Sequence, residues 1–330
     1  MLGLLGLLGA IMVVHLADGM ISTPVGEEPD DEKNPDAEPS EVDHDNSILD
    51  PRAEPDPQDS DSASNPGGSA GTDFLSGSAE DDLLVALDGD DDLKGYGGAD
   101  SLFGGEGRDM LRGDEGADQL SGGGGDDTLH GGDGDDTLWG GEGDDLLAGQ
   151  MGDDLMQGGA GADTMHGGDG RDTLYGQDGA DVLTGEDGAD VLIGGGGADD
   201  VAGGAGDDVL TGDFSLAGED DGAADTINGQ DGNDVIHLGA GDYGAGQAGE
   251  DSFVLQGAAS GQPPAVITDF TPGEDSLVVT YDPLAQTAPV VTVASDSATG
   301  HATLLLDGVP MATILGAAGL DPAQIEVRAA

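Results

Sequence analysis

This chain contains no cysteine, only seven lysines and arginines, and 3% aromatic residues. Without cysteine, neither disulfides nor thiolate metal sites can stabilise it. Seven basic residues against 70 aspartates and glutamates give a formal net charge of −63, which excludes nucleic acid and anionic membrane surfaces as partners. The scarcity of aromatics removes the side chains that usually dominate a core. What is abundant makes folding harder still. The 64 glycines each lose more backbone entropy on folding than any other residue. High charge with few aromatics marks a chain that stays unfolded without help. The help consistent with this composition is a cation bound by oxygen.

Four stretches differ in character. Residues 1–17 are apolar, residues 18–72 form an acidic, Pro-rich segment that reads as a disordered linker, residues 77–245 are Gly/Asp-rich and periodic, and residues 246–330 are richer in Val, Ile, Leu and Thr. For the apolar start two readings stay open, a signal peptide and a membrane tether. The first basic side chain is Lys33, no A-x-A site is present, and the apolar run is short for a span.

From Gly77 the frame G-G-x-G-x-D-x-U-x, with U a large apolar residue, runs through Thr211 as fifteen nonads without insertion or deletion. Position 6 is Asp in every one, beginning at Asp82, and position 8 is apolar from Leu84 to Leu210. Position 1 is Gly except at Ala86, and position 4 except at Glu80. After an insertion around Phe214–Gly222 the frame resumes at Asp225 and Asp234. Each position has a physical reason. Glycine permits a tight corner with positive φ and leaves carbonyl oxygens uncovered. Ca²⁺ takes six to eight oxygens from carboxylates and carbonyls together, so one Asp beside a glycine corner offers half a site and a neighbouring loop the rest. The x-U-x segment is strand-like, with U facing in.

These motifs resemble the RTX (repeats-in-toxin, hemolysin-type) calcium-binding family over about half the chain. The resemblance implies an all-β fold, a right-handed parallel β-roll solenoid with two nonads per turn and a C-terminal β-rich cap. It implies Ca²⁺ between loops two nonads apart, with fifteen loops giving about 13 inter-loop sites. The ligands it points to are Asp91, Asp100, Asp109, Asp118, Asp127, Asp136, Asp145, Asp154, Asp163, Asp172, Asp181, Asp190, Asp199 and Asp208, with Asp225 and Asp234 beyond the insertion. Asp82, in the atypical nonad GSAEDDLLV, is set apart. The resemblance also implies export by type I secretion through an uncleaved C-terminal signal, and hence an extracellular or cell-surface location.

Competing chemistries fit less well. The six histidines form no zinc-type pair, and no EF-hand loop or H-E-x-x-H occurs. Gly67-Gly68-Ser69-Ala70-Gly71 matches G-x-S-x-G but lacks the flanking strand and helix of a nucleophile elbow. The expectation is a non-enzymatic calcium-binding protein of adhesin or matrix type. The alternative is an accessory module with a binding or hydrolytic activity in the C-terminal region 246–330. If two nonads make a turn, position 9 places Phe103, Trp139 and Tyr175 on one face. Lys94, Arg112, His130 and His166 then lie on the other. The first row suits an extracellular glycan or matrix partner, and the second reads as a pH-dependent positive patch. Beyond 245 the candidate strands are Phe253–Leu255, Ala265–Phe270, Ser276–Tyr281, Val290–Val293, Ala302–Leu306 and Met311–Leu315, with a hairpin at Asp307-Gly308.

Overall fold

The computed structural model describes residues 67–213, 222–256, 262–281 and 289–329, all within one unit, Glu54–Ala330. The expectations for 1–17, for 18–66 and for the body of the insertion lie outside the described residues. Among the described residues no helix is long and apolar enough to cross a membrane.

Each x-U-x segment opens a strand, and the first residues of the next nonad complete it. In Thr137–Glu142, Leu138 and Gly140 are buried while Thr137, Trp139 and Gly141 face outward, the period-2 alternation of a half-buried strand. Pairing is parallel and advances by two nonads at a time. Leu102 lies beside Leu120, Leu120 beside Leu138, and Leu138 beside Met156. Leu111, Leu129, Leu147 and Met165 follow the same step in a second sheet. Two nonads therefore make one turn, and alternate repeats fall on opposite sheets. The result is a parallel solenoid of about ten turns, with fourteen strands in one sheet and twelve in the other.

The position-8 side chains from Leu84 to Leu210 stack between the sheets at 0% exposure. Each such burial contributes roughly 1.5–3 kcal/mol. At the corners, position 4 needs glycine: Gly152 has φ 128, and a Cβ there would collide with the carbonyl of Gly134. Position 2 also has positive φ, yet it holds Leu87, Tyr96, Asp114, Gln150, Gln177, Glu186, Gln230 and Gln247. Such a conformation costs a side chain about 1–2 kcal/mol. Several of these residues recover part of that cost through position 9 of the preceding turn. Gln177 donates to Gln157 at 2.9 Å, Gln247 donates to Asn228 at 2.7 Å, and Asp114 meets Lys94 at 3.1 Å.

The roll begins one nonad earlier than the composition suggests. Residues 68–76 (GSAGTDFLS) fit the frame, with Asp73 at position 6 and Leu75 buried at position 8. Phe74–Ser76 pairs with Asp92–Gly97, and Gly67 and Ala70 bridge Val85 and Asp88. Residues 67–72, assigned above to the linker, thus form the first turn of the roll. At the insertion Val201 pairs with Ile227 and Leu210 with Ile236, so the ladder resumes in phase on the far side. Where Gly244 leaves position 8 empty, buried Leu238 fills the space, 2.8 Å from where a Cβ on Gly244 would lie.

The parallel ladders run on past 245. Ser252–Leu255, Ser276–Tyr281 and Ile325–Ala329 extend the twelve-stranded sheet. Tyr243–Ala248, Ala265–Ile267 and Val309–Ile314 extend the other. His301–Leu306 and Val291–Asp296 then turn antiparallel and end that sheet. The hairpin forms at Asp307-Gly308, with φ values of 52 and 85. Each candidate strand overlaps an observed one, and Ile325–Ala329 is an additional strand outside that set.

The position-4 constraint is testable. Gly152→Ala should raise the calcium concentration needed to form β-structure and lower thermal stability by about 2 kcal/mol or more. Gln150→Gly, which relieves a positive φ, should shift stability by less than about 1 kcal/mol. Paired thermal melts would check both.

Candidate metal centre

Position 6 forms two continuous ladders of buried aspartates. In each, the backbone N–H of one aspartate donates to Oδ1 of the next, one turn along. Asp136 donates to Asp154 at 2.7 Å, and Asp154 to Asp172 at 2.8 Å. One ladder runs from Asp82 through Asp100, Asp118, Asp136, Asp154, Asp172, Asp190, Asp208 and Asp234 to Asp251 and Asp275. The other runs from Asp73 through Asp91, Asp109, Asp127, Asp145, Asp163, Asp181 and Asp199 to Asp225 and Asp242. The aspartates from Asp82 to Asp251 in the first, and from Asp91 to Asp242 in the second, are at most 4% exposed.

The other carboxylate oxygen is treated differently inside the ladders and at their ends. In the interior, Oδ2 of Asp100, Asp118, Asp136, Asp154, Asp172 and Asp190 is buried with no hydrogen-bond partner. The same holds for Asp91, Asp109, Asp127, Asp145, Asp163 and Asp181. An ionised oxygen left so is costly unless a cation meets it. At the ends a protein donor closes it. Ser69 donates to Asp73 from its N–H (2.6 Å) and Oγ (3.0 Å), and Ser78 does the same to Asp82. Gly239 N–H meets Asp242 and Thr271 N–H meets Asp275, both at 2.6 Å.

Position 1 explains itself here. A Cβ on Gly149 would collide with Oδ2 of Asp154 and stand 2.7 Å from the carbonyl oxygen of Gly167. Carboxylate and carbonyl oxygens therefore converge on a space that only glycine leaves open. Among the described residues no three His, Cys, Asp or Glu side chains gather as a metal group. Any ligand set here combines one or two carboxylates with backbone carbonyls, which suits Ca²⁺ and not zinc.

Burial raises the pKa of these carboxyls, with neighbouring aspartates adding to the shift and the backbone N–H opposing it. Asp100 and Asp154 rise to about 6, Asp136 and Asp172 to about 7, and Asp225 to about 8. Without a cation, the folded loops hold protons near neutrality that the unfolded chain has released.

All sixteen aspartates named from the sequence lie in the ladders. Asp73, Asp242, Asp251 and Asp275 join them without having been named, although Gly246–Val254 (GQAGEDSFV) fits the frame throughout. The two faces are also as expected: Phe103, Ser121, Trp139, Gln157 and Tyr175 pair in one sheet. Lys94, Arg112, His130, Ala148 and His166 pair in the other. The second row is not a positive patch, however. Lys94 meets Asp114 at 3.1 Å, Arg112 meets Asp92 at 2.7 Å, and His166 faces Glu186 at 3.4 Å. His130 is pushed down in pKa by burial and then by Arg112, which disfavours its charged form.

The pattern of the RTX calcium-binding nonapeptide repeat matches seven overlapping stretches that together span residues 67–210, and an eighth at 219–243, about half of the chain. The chain belongs to the RTX calcium-binding nonapeptide-repeat family. RTX repeats bind calcium in a β-roll and are typical of secreted proteins. Among solved structures, the RTX chain is similar to a subunit of the mannuronan C5-epimerase of Azotobacter vinelandii. Identity is 20% and TM-score 0.23, over 50% of this chain and 78% of that one. It is also similar to the extracellular lipase LipA of Serratia marcescens at 15% identity and TM-score 0.22, over 70% of this chain and 40% of the lipase. None of the curated proteins compared with it matches.

The RTX ladders make interior and end positions unequal. Asp154→Asn keeps an acceptor for Asp136 N–H but replaces the unpartnered oxygen with an amide, so it should lose bound calcium. Asp82→Ala, at a closed end, should lose far less. Equal losses by isothermal titration would contradict the division between interior and end. The same carboxylates set a pH dependence. Because the folded pKa values lie above the unfolded value of 3.8, protonation stabilises the metal-free roll. That stability is fully present below about pH 4 and is lost as pH rises through 6–8. In chelator, β-structure should therefore increase on acidification through pH 6–7, and calcium added at pH 6.5 should release protons, measurable in weak buffer.

Proposed function

We propose that calcium folds this chain outside the cell, and that its function is non-enzymatic, of adhesin or matrix type. The observation that supports this most directly is the row of buried, unpartnered aspartate oxygens within the ladders, set against ladder ends that serine hydroxyls and backbone N–H groups close. In this reading Asp91, Asp109, Asp127, Asp145, Asp163, Asp181, Asp199 and Asp225 hold ions along one edge of the roll. Asp100, Asp118, Asp136, Asp154, Asp172, Asp190, Asp208 and Asp234 hold them along the other. Eight loops on each edge leave seven gaps, fourteen in all. This is close to the 13 counted from the uninterrupted nonads. Fourteen Ca²⁺ would bring 28 positive charges to a chain of −63.

Metal binding and folding are then one event. Affinities in the range of extracellular modules, about 10⁻⁴–10⁻³ M, would leave the chain unfolded inside the cell and threadable for export. Residues 246–330 act as the closing turns of the roll, a role supported by the ladders continuing into them and by the antiparallel hairpin that ends one sheet. Asp275, closed by Thr271, ends one ladder within this region.

Circular dichroism of the full chain tests the reading. Chelator should leave little β-structure at pH 8, and millimolar Ca²⁺ should restore it cooperatively. A β signal that persists unchanged in chelator would falsify it.

A further inference from the structure

The two faces of the roll differ sharply in charge. Strands present positions 7, 9 and 2 outward. In the twelve-stranded sheet, from Leu83–Asp88 to Thr173–Asp178, these positions amount to three on each of six strands, and none is charged. In the fourteen-stranded sheet, from Asp92–Gly97 to Val182–Gly188, the corresponding positions include Asp92, Lys94, Arg112, Asp114 and Glu186, with His130 and His166 besides. Over these six strands a chain of −63 thus keeps one face of its roll free of charge, with carboxylates along its rim at Asp88, Glu106, Glu142 and Asp178.

On that neutral face Phe103, Trp139 and Tyr175 stand on one line, with Ser121 and Gln157 between them. Successive rings are two rungs apart, about 9.6 Å. Beside Phe103, Ser121, Trp139 and Gln157, the next two positions are glycine, so a floor of bare backbone runs alongside the rings. Gln177, at the end of this floor, holds Gln157 at 2.9 Å. The line stops at Ile193, which is buried.

We propose that this face binds an uncharged polysaccharide lying along the roll axis. The proposal rests on the calcium-folded, extracellular reading above. Rigid rings at regular intervals offer apolar area at low entropic cost, suited to the C–H faces of sugar rings. The serine and glutamine side chains between them offer donors and acceptors for hydroxyls. The flat glycine floor lets a chain lie close. Charge selects among ligands. A polyuronate would be repelled by the acidic rim and loops, and a second copy placed face to face would bring two such rims together. A neutral, hydroxyl-rich chain meets neither penalty.

Trp139 is the single tryptophan, so its fluorescence reports directly on this face. The full chain in saturating Ca²⁺ would be titrated with xylan, mannan and β-glucan, and with polygalacturonate as the acidic counterpart. At least one neutral polysaccharide should shift the Trp139 emission, and polygalacturonate should not. Trp139→Ala and Tyr175→Ala should each weaken binding about tenfold or more in affinity electrophoresis, while His130→Ala leaves it unchanged. Gln157→Glu, which adds one charge at equal volume, gives a second variant with the ring row intact and should also weaken binding. Circular dichroism on the same samples separates the two levels: absence of calcium-induced β-structure refutes the folding reading. With β-structure present, no binding to any of the three neutral polysaccharides would overturn the proposal. So would equal binding of polygalacturonate, or a calcium-loaded dimer that Trp139→Ala dissolves.

Discussion

The structure depends on a carboxylate divided between two duties. At position 6, Oδ1 accepts a backbone N–H from the turn before, and Oδ2 points into the glycine corner of its own nonad. The first duty fixes the two-nonad advance, because only that step brings Asp136 N–H to Asp154 and Asp154 N–H to Asp172. The second fixes glycine at position 1, since a Cβ on Gly149 would occupy the space into which Oδ2 and the Gly167 carbonyl project. An aspartate bound on one side only is a liability when buried. Repeating it along both edges makes the whole roll conditional on a proton or a cation. The exceptions at Asp73, Asp82, Asp242 and Asp275 show the alternative in the same fold: where a hydroxyl or amide donor is at hand, the oxygen is closed without metal.

Much of this is legible in the sequence because the period is strict. Alternating faces, the buried position 8 and the sixteen ladder aspartates follow from phase alone, and the separation of Trp139 from His130 is a consequence of counting nine. The ends are harder to read. GSAGTDFLS resembles linker because Ser69 replaces the glycine of position 2 in a Ser-rich surround, yet Ser69 is the residue that closes its ladder. GQAGEDSFV is easily overlooked because glycine thins out after it, although composition does not govern pairing. The dual use of the carboxylate is not visible at all. A one-dimensional pattern states which residue recurs, not which of its two oxygens is satisfied.

Position 2 shows a second kind of information that spacing holds and composition hides. Its backbone favours glycine, but eight non-glycine residues occupy it at φ between 67 and 88. Several of them meet a partner one turn earlier, at position 9, as with Lys94 and Asp114, His166 and Glu186, and Gln157 and Gln177. Local strain is set against a contact between rungs, and the contact adds to the register that the aspartates already impose. The rule is asymmetric across the roll. Charged pairs of this kind belong to the fourteen-stranded sheet, and the twelve-stranded sheet has only the amide pair among the described residues.

That asymmetry follows from where the repeat needs charge. The repeat places acidic side chains in the loops, at position 6 inside and often at position 5 outside, where Arg171 caps Asp153. Nothing in the ladder restricts positions 7, 9 and 2, which face outward from strands whose stability comes from position 8 and from backbone pairing. Those positions are therefore where the sequence is at liberty to differ between the two sheets. On one sheet they carry cations, each set beside a carboxylate so that the surface stays near local neutrality. On the other, from Leu83–Asp88 to Thr173–Asp178, they carry no charge and hold aromatic rings in register, an arrangement that the folding of the roll does not require.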